Sequence, residues 1–283
     1  MPNRTPSGPS LGRLRLPASV GPERPGGDQL RGIATIAGAA VPAVDATAPV
    51  VLFLPAHDEE AAVAAVVRRV PTQIAGHPVV CVVIDDGSTD RTADRAREAG
   101  AEVVSLGRNH GLGAVVRYGL AEGLRRGAVA VAFCDADGEY APEELPMLVA
   151  PILVGRADYV VGSRFAGSIG RMLPHRRLGN RVLTAALRFV TRTPISDGQS
   201  GYRALSRRAA AHAQVIHDFN YAQVLTIDLL ARGARYAEVP ISYRFRESGQ
   251  SYVRLGRYLA AVVPAVIRQL NTEVAPLWHA PHQ

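Results

Sequence analysis

The chain has 283 residues, 47% of them apolar, and a formal charge of +7 at neutral pH. That is enough material for one large domain or two small ones with a full core, and no apolar run approaches the roughly 18–20 residues that span a bilayer as a helix. There is no lysine, which excludes lysine-based Schiff-base chemistry and a phosphate-cradling loop of the G-x-x-x-x-G-K-[ST] kind.

Residues 1–49 are rich in Pro, Gly, Ser and Arg without sustained periodicity and read as a disordered or loosely packed arm. Within it, RGIATIAGAAVPAVDA at 31–46 is weakly apolar and follows thirty other residues, so it is not read as a secretory leader. The folded part, 50–245, begins with the strand VVLFLP at 50–55 and a helix over 59–69. A strand at 79–84, the turn DDGSTD at 85–90 and a helix ending at Ala99 against Gly100 come next. Then follow a strand at 101–106, a glycine-rich turn, a helix over 112–126, and strands at 128–133 and 158–163. Residues 246–283 read as a C-terminal amphipathic helix and tail.

Short, continuously apolar strands alternating with helices predict an α/β fold with a parallel sheet buried on both faces. Ligands bind such sheets beyond the carboxyl ends of the strands. Three acidic turns stand there: PAHDEE (55–60), DDGSTD (85–90) and CDADGEY (134–140). A dinucleotide fingerprint is excluded, because the first turn has no glycine and Val116 fills the third glycine position of the later G-L-G stretch. Cys81 and Cys134 lie in separate apolar runs and read as buried thiols.

Charge is divided along the chain. Residues 50–160 hold 10 Arg against 16 acids, whereas 161–283 hold 17 Arg against 6. The acidic half would repel nucleic acid, and no aromatic-interleaved basic motif is present. An acidic half that takes a cation and a basic half that meets an anion account for the division better. Asp135 and Asp137 stand two apart where a strand ends, so both can point one way. Hard cations such as Mg²⁺ or Mn²⁺ accept carboxylate and phosphate oxygens together. A solvated acidic loop is the alternative.

Seven stretches occur in order: P-A-H-D-E (55–59), D-D-G-S-T-D (85–90), N-H-G-L-G (109–113), D-A-D-G-E-Y-A-P-E-E (135–144), G-S-R-F (162–165), S-D-G-Q-S-G-Y-R (196–203) and E-V-P-I-S-Y-R-F-R (238–246). With them the chain, from Val50 to Asn271, resembles the family-2 glycosyltransferases of the GT-A fold, in particular their polyprenyl- and dolichyl-phosphate mannose synthase-like branch. The resemblance implies a Rossmann-like nucleotide-sugar-binding sheet with a C-terminal acceptor subdomain. It implies that Pro55, His57 and Glu59 line the nucleotide pocket, Asp86 reaches the base, and Asp135, Asp137 and Glu139 hold Mg²⁺ or Mn²⁺. His57 stands where Tyr is usual.

Arginine binds phosphate bidentately and stays charged, and the resemblance sets Arg164, Arg177 and Arg203 toward the acceptor phosphate or the donor diphosphate. Arg207, Arg208 and Arg232 read as surface cations. Asp197 is a general base if the acceptor is an alcohol, the orienter of a neighbouring Arg if it is a phosphate, or a helix cap. From Tyr252 onward, Val253, Leu255, Leu259, Val262, Val263 and Val266 lie largely to one side of a helix bordered by arginine. Such a helix suits either a bilayer interface or a contact with the sheet or a second copy. The implied enzyme moves a hexose from a GDP- or UDP-sugar to a polyprenyl phosphate at the cytoplasmic membrane face. A soluble glycosyltransferase acting on a hydroxyl, a sugar-nucleotide pyrophosphorylase and a non-catalytic nucleotide-sugar binder are its rivals.

Overall fold

The computed structural model describes residues 47–216, 218, 221–244, 264, 266–269 and 271. Among the described residues eight strands form one mixed sheet: β1 (Val50–Ala56), β2 (Gln73–Ile74), β3 (His77–Asp85), β4 (Glu102–Ser105), β5 (Ala130–Phe133), β6 (Tyr159–Ile169), β7 (Arg203–Ser206) and β8 (Tyr236–Tyr243). The main path runs β4-β3-β1-β5-β7-β6-β8, with the short β2 lying antiparallel on the start of β3. Strands β4, β3, β1 and β5 are parallel; β7 is reversed between β5 and β6; β8 is parallel to β6.

β1 is buried along its whole length, and its alternation decides which helices cover it. Leu52 and Leu54 face one apolar layer with Val63 and Val66 of α1 (Val63–Val67) and Leu145, Leu148 and Val149 of α4 (Leu145–Leu153). Val51 and Phe53 face the other, with Val115, Val116 and Leu120 of α3 (Leu112–Arg125) and Leu225 and Leu229 of α7 (Ala222–Ala231). α3 approaches closely because Gly119 has no side chain, since a Cβ there would lie 2.3 Å from the Phe53 ring. α2 (Thr92–Glu98) and α6 (Arg207–His212) complete these layers, and α5 (Pro174–Thr191) packs against α7.

Two elements differ from the sequence reading. The helix expected over 59–69 is reduced to Val63–Val67. Its intended first turn is held by the neighbouring loop instead: the Glu59 N–H donates to Thr92 Oγ1 at 2.7 Å and the Glu60 N–H to Asp90 Oδ2 at 3.1 Å. β6 outruns the expected 158–163 and continues to Ile169, because β8 pairs with it across an irregularity between Ser163 and Ser168. Residues 1–46 of the arm expected over 1–49, and most of the helix expected from Tyr252, lie outside the described residues. At the helix's far end, Val266 packs near Leu187, Ile195 and Ile227, and Gln269 is buried and donates to Asp228.

Candidate active site

Register sets the carboxyl ends of three parallel strands on one side of the sheet: Ala56 pairs with Asp85 where β1 and β3 end, and β5 ends at Phe133 opposite Phe53. The three acidic loops thus share one sheet edge. The first two are laced together, with the Asp58 N–H donating to Ser88 Oγ at 3.0 Å and the Thr89 N–H to Asp58 Oδ1 at 2.8 Å. Pro55 is buried at the end of β1, and its carbonyl accepts the Ala136 N–H, linking the first loop to the third. His57 is one-third exposed with its Nε2 3.7 Å from Asp58, while its Nδ1 is buried without a hydrogen-bond partner. Glu59 stands half-buried beside it.

Asp86 does not stand as expected. Its carboxylate is buried and accepts the His110 N–H at 2.7 Å and the Gly111 N–H at 2.9 Å. In the structure the residue read as reaching a base clamps the N-H-G-L-G turn through these two amides.

Asp135, Asp137 and Glu139 are half-buried just past β5. Burial, and then the neighbouring Asp137 and Glu139 carboxylates, push Asp135 up to about 8. Burial and Asp137 raise Glu139 as well. A cation relieves such mutual repulsion, so the donor set fits Mg²⁺ or Mn²⁺. Among the described residues, however, no three acidic, His or Cys side chains gather into a cage. Glu139, expected as the third ligand, accepts the Tyr243 hydroxyl at 2.9 Å. Mg²⁺ is ordinarily held by one or two carboxylates together with substrate phosphate, and the Asp135–Asp137 pair meets that need without a third.

Opposite this pair lies the S-D-G-Q-S-G-Y-R loop. A Cβ on Gly201 would sit 2.8 Å from Asp135 Oδ2 and 3.2 Å from the Tyr140 side chain, so any other residue would displace the Asp135 carboxylate. The Gly201 N–H donates to the Tyr140 hydroxyl at 2.7 Å and ties the two motifs.

Arg164 and Asp197 form a buried pair. Arg164 Nε donates to Asp197 Oδ2 at 2.7 Å, Nη2 to Oδ1 at 2.9 Å, and the backbone N–H to Oδ2 at 3.1 Å. The guanidinium also lies 5.2 Å over the Tyr243 ring. Of the roles open to Asp197, this geometry is that of an orienter, because both its oxygens are held by a permanent cation. Arg164 lines a cavity of about 570 Å³ together with Phe165, Arg177, Arg181, Thr184, Arg188 and Ser196. Arg177 thus stands in the same cavity wall as Arg164.

Arg203 does not. It is fully buried, donating to the carbonyls of Ser200 (2.8 Å), Gly198 (3.1 Å) and Ala222 (3.0 Å), to Thr226 Oγ1 (3.0 Å) and to the Tyr159 hydroxyl. Its guanidinium lies 5.2 Å over Tyr221. Arg203 is a strut beneath the loop, and its expected phosphate contact is corrected accordingly: every face of the group is taken by protein. Arg232, read as a surface cation, is also buried, paired with Asp228 at 3.0 Å.

Sequence reasoning missed Glu238. Its carboxylate accepts the Ser196 N–H at 2.9 Å, the Asp197 N–H at 3.2 Å and the Tyr236 hydroxyl at 2.6 Å, so it holds the loop that holds Arg164. The signal was present in the E-V-P-I-S-Y stretch, an acid on an otherwise strand-like run.

Comparison with known proteins settles the family. The model of the family described as "Glycosyl transferase family 2" matches residues 51–213, more than half of the chain. This protein belongs to the family-2 glycosyltransferases. Polyprenol monophosphomannose synthase of Mycolicibacterium smegmatis is 34% identical over 212 residues, covering 71% of this chain and 79% of that one. Glycosyltransferase AglJ of Haloferax volcanii is 33% identical over 59% of the chain, which spans only 55% of its length. Among solved structures, glucosyl-3-phosphoglycerate synthase from Mycobacterium tuberculosis, in complex with Mn²⁺, UDP and glucosyl-3-phosphoglycerate, superposes with a TM-score of 0.62 at 27% identity. The superposition covers 79% of this chain and 78% of that one. The mixed sheet is the Rossmann-like GT-A fold, and the protein is a glycosyltransferase.

Proposed function

We propose that this glycosyltransferase moves a hexosyl group from a GDP- or UDP-sugar to the phosphate of a polyprenyl phosphate, using Mg²⁺ or Mn²⁺. The observation that carries the reading is the state of Asp197. An alcohol acceptor needs a general base, and the acid nearest the basic wall is locked on Arg164. A phosphate acceptor is already ionised and needs an oriented cation instead. Arg164, held by Asp197 and, through Asp197 and Ser196, by Glu238, is such a cation, and Arg177, Arg181 and Arg188 share its cavity.

Asp135 and Asp137 would hold the metal, which supplies charge neutralisation for the departing diphosphate. The Gly201 backbone closes over Asp135, and Asp86 keeps the N-H-G-L-G turn beside the donor loops. Arg164 orients the acceptor phosphate so that one of its oxygens attacks the anomeric carbon. The new C–O bond forms as the bond to the nucleoside diphosphate breaks, and the electron pair leaves with the diphosphate. Attack opposite the leaving group inverts the anomeric centre. An enzyme drawing lipid from the bilayer would work at its cytoplasmic face, where nucleotide-sugars are made.

The solved relative with glucosyl-3-phosphoglycerate favours a second reading, a small phosphorylated acid bound by the same arginines. The test is nucleoside diphosphate release from GDP-mannose, UDP-glucose and related donors with Mn²⁺ or Mg²⁺, with polyprenyl phosphate, 3-phosphoglycerate or neither. Release that requires the lipid supports the first reading; release that requires phosphoglycerate transfers the assignment to the second. Equal release onto a neutral alcohol would overturn the phosphate reading altogether.

A further inference from the structure

We propose that the outward face of α5 is a docking surface for a bilayer bearing anionic headgroups, and that it sets the arginine-lined cavity at the lipid interface. Leu178, Val182 and Phe189 on this helix are 65%, 60% and 86% exposed. With the exposed Ala185 they recur at spacings of four, three and four, so they form one straight row along the helix. The buried Leu187 and Thr184 lie on the side of the helix that meets the protein, Leu178, Val182 and Phe189 lie on the opposite side, and Ala185 also borders the arginine-lined cavity. Of the seven large apolar side chains exposed among the described residues, three stand in this row, whereas single exposed apolar residues are ordinary.

Alongside the row runs a second one, Arg177, Arg181 and Arg188, lining the cavity that holds Arg164. From Arg171 through Ser196 the chain has six arginines and no acid. That charge decides between occupants. A second copy docking through the same helix would set arginine rows against one another. An anionic bilayer offers acyl chains to the apolar row and headgroups to the arginines at once. The surface is separate from the helix expected after Tyr252, for which a bilayer interface and a contact with protein were both open and whose Val266 packs near Leu187 and Ile195. The inference rests on the lipid-phosphate reading for its purpose, since a soluble acceptor requires no bilayer.

The test is co-sedimentation of the full chain with phosphatidylcholine vesicles, with and without phosphatidylglycerol, all lacking polyprenyl phosphate. The wild type is expected to bind the anionic vesicles, to bind neutral ones far less, and to dissociate as salt is raised. L178S/V182S/F189S is expected to lower the partition about a thousandfold or more, as removal of three apolar side chains from lipid predicts. It should leave the melting temperature and metal-dependent turnover of donor in solution as they were. A variant that binds as tightly as the wild type overturns the proposal, as does a wild type that ignores anionic vesicles or prefers neutral ones. A wild-type dimer dispersed by the triple substitution also overturns it, by assigning the row to a second copy. Vesicle binding that depends on the row, with sugar transfer only to a soluble acceptor, supports the docking surface while removing the lipid acceptor.

Discussion

Asp197→Asn separates a base from an orienter. In the structure the Asp197 side chain is 0% exposed and that of Arg164 6%, and three hydrogen bonds join the two residues. Removing one charge of a buried pair typically costs about 3–5 kcal/mol, because the other charge is left uncompensated. Asn keeps the shape and one acceptor oxygen, so a loss near the lower end, about 3 kcal/mol, is expected. For a domain of this size that is roughly 6–12 °C in melting temperature. In kinetics, a loosened Arg164 gives up a charge-assisted contact worth about 1.5–3 kcal/mol, or on the order of 10–150-fold in kcat/KM for the acceptor. Donor KM should barely change. Thermal melting and steady-state kinetics, with donor and acceptor varied separately across pH, measure both effects. A general base behaves otherwise: kcat falls by about 10²–10⁴ and the acidic limb of the pH profile disappears. An unchanged melting temperature together with that kinetic signature would refute the orienting role.

Asp135 supplies a pH test. Its folded value near 8 lies above its ordinary 3.8, so its contribution to stability is fully present below about 4 and is lost as pH rises through about 8. In a chelator, melting temperature should therefore fall across that window, Asp135→Asn should flatten the fall, and Mn²⁺ should restore the wild type at high pH; a slope indifferent to both metal and substitution rejects the cation site. Arg203→Lys should cost about 2–4 kcal/mol in urea unfolding, since an ammonium cannot satisfy the carbonyls of Gly198, Ser200 and Ala222 together. The folded fraction should keep its acceptor KM, and a selective rise in that KM at full stability would return Arg203 to the substrate. Glu238→Gln leaves the Ser196 and Asp197 amides an acceptor, while Glu238→Ala leaves neither. The Ala variant should raise acceptor KM roughly tenfold with Gln restoring most of it, and equal behaviour of the two would deny Glu238 a positioning role.

Sequence periodicity identified β1, β3 and β5 because a strand covered on both faces must be apolar at every position, as Val50 to Leu54 are. Their parallel order followed from the helices between them, and with it the meeting of the three acidic turns at one edge. Local patterning could not reveal the shortened α1, since the amides of Glu59 and Glu60 are captured by Thr92 and Asp90, some thirty residues away.

The residue types of the site were legible in the chain: carboxylates two apart at the end of a strand, arginines in the basic half, a glycine between Ser200 and Tyr202. Which of those groups face a substrate was a matter of tertiary structure. Arg164 and Arg203 sit in equally suggestive motifs, yet β7 runs antiparallel between β5 and β6 and turns Arg203 inward onto Tyr159 and Thr226, while Arg164 lines the cavity at the carboxyl edge. Asp197 and Glu238 are forty-one residues apart and become one support for Arg164 only because β8 lies beside β6. A side chain's type is carried by the chain; whether its charge faces protein or solvent depends on which strand becomes its neighbour.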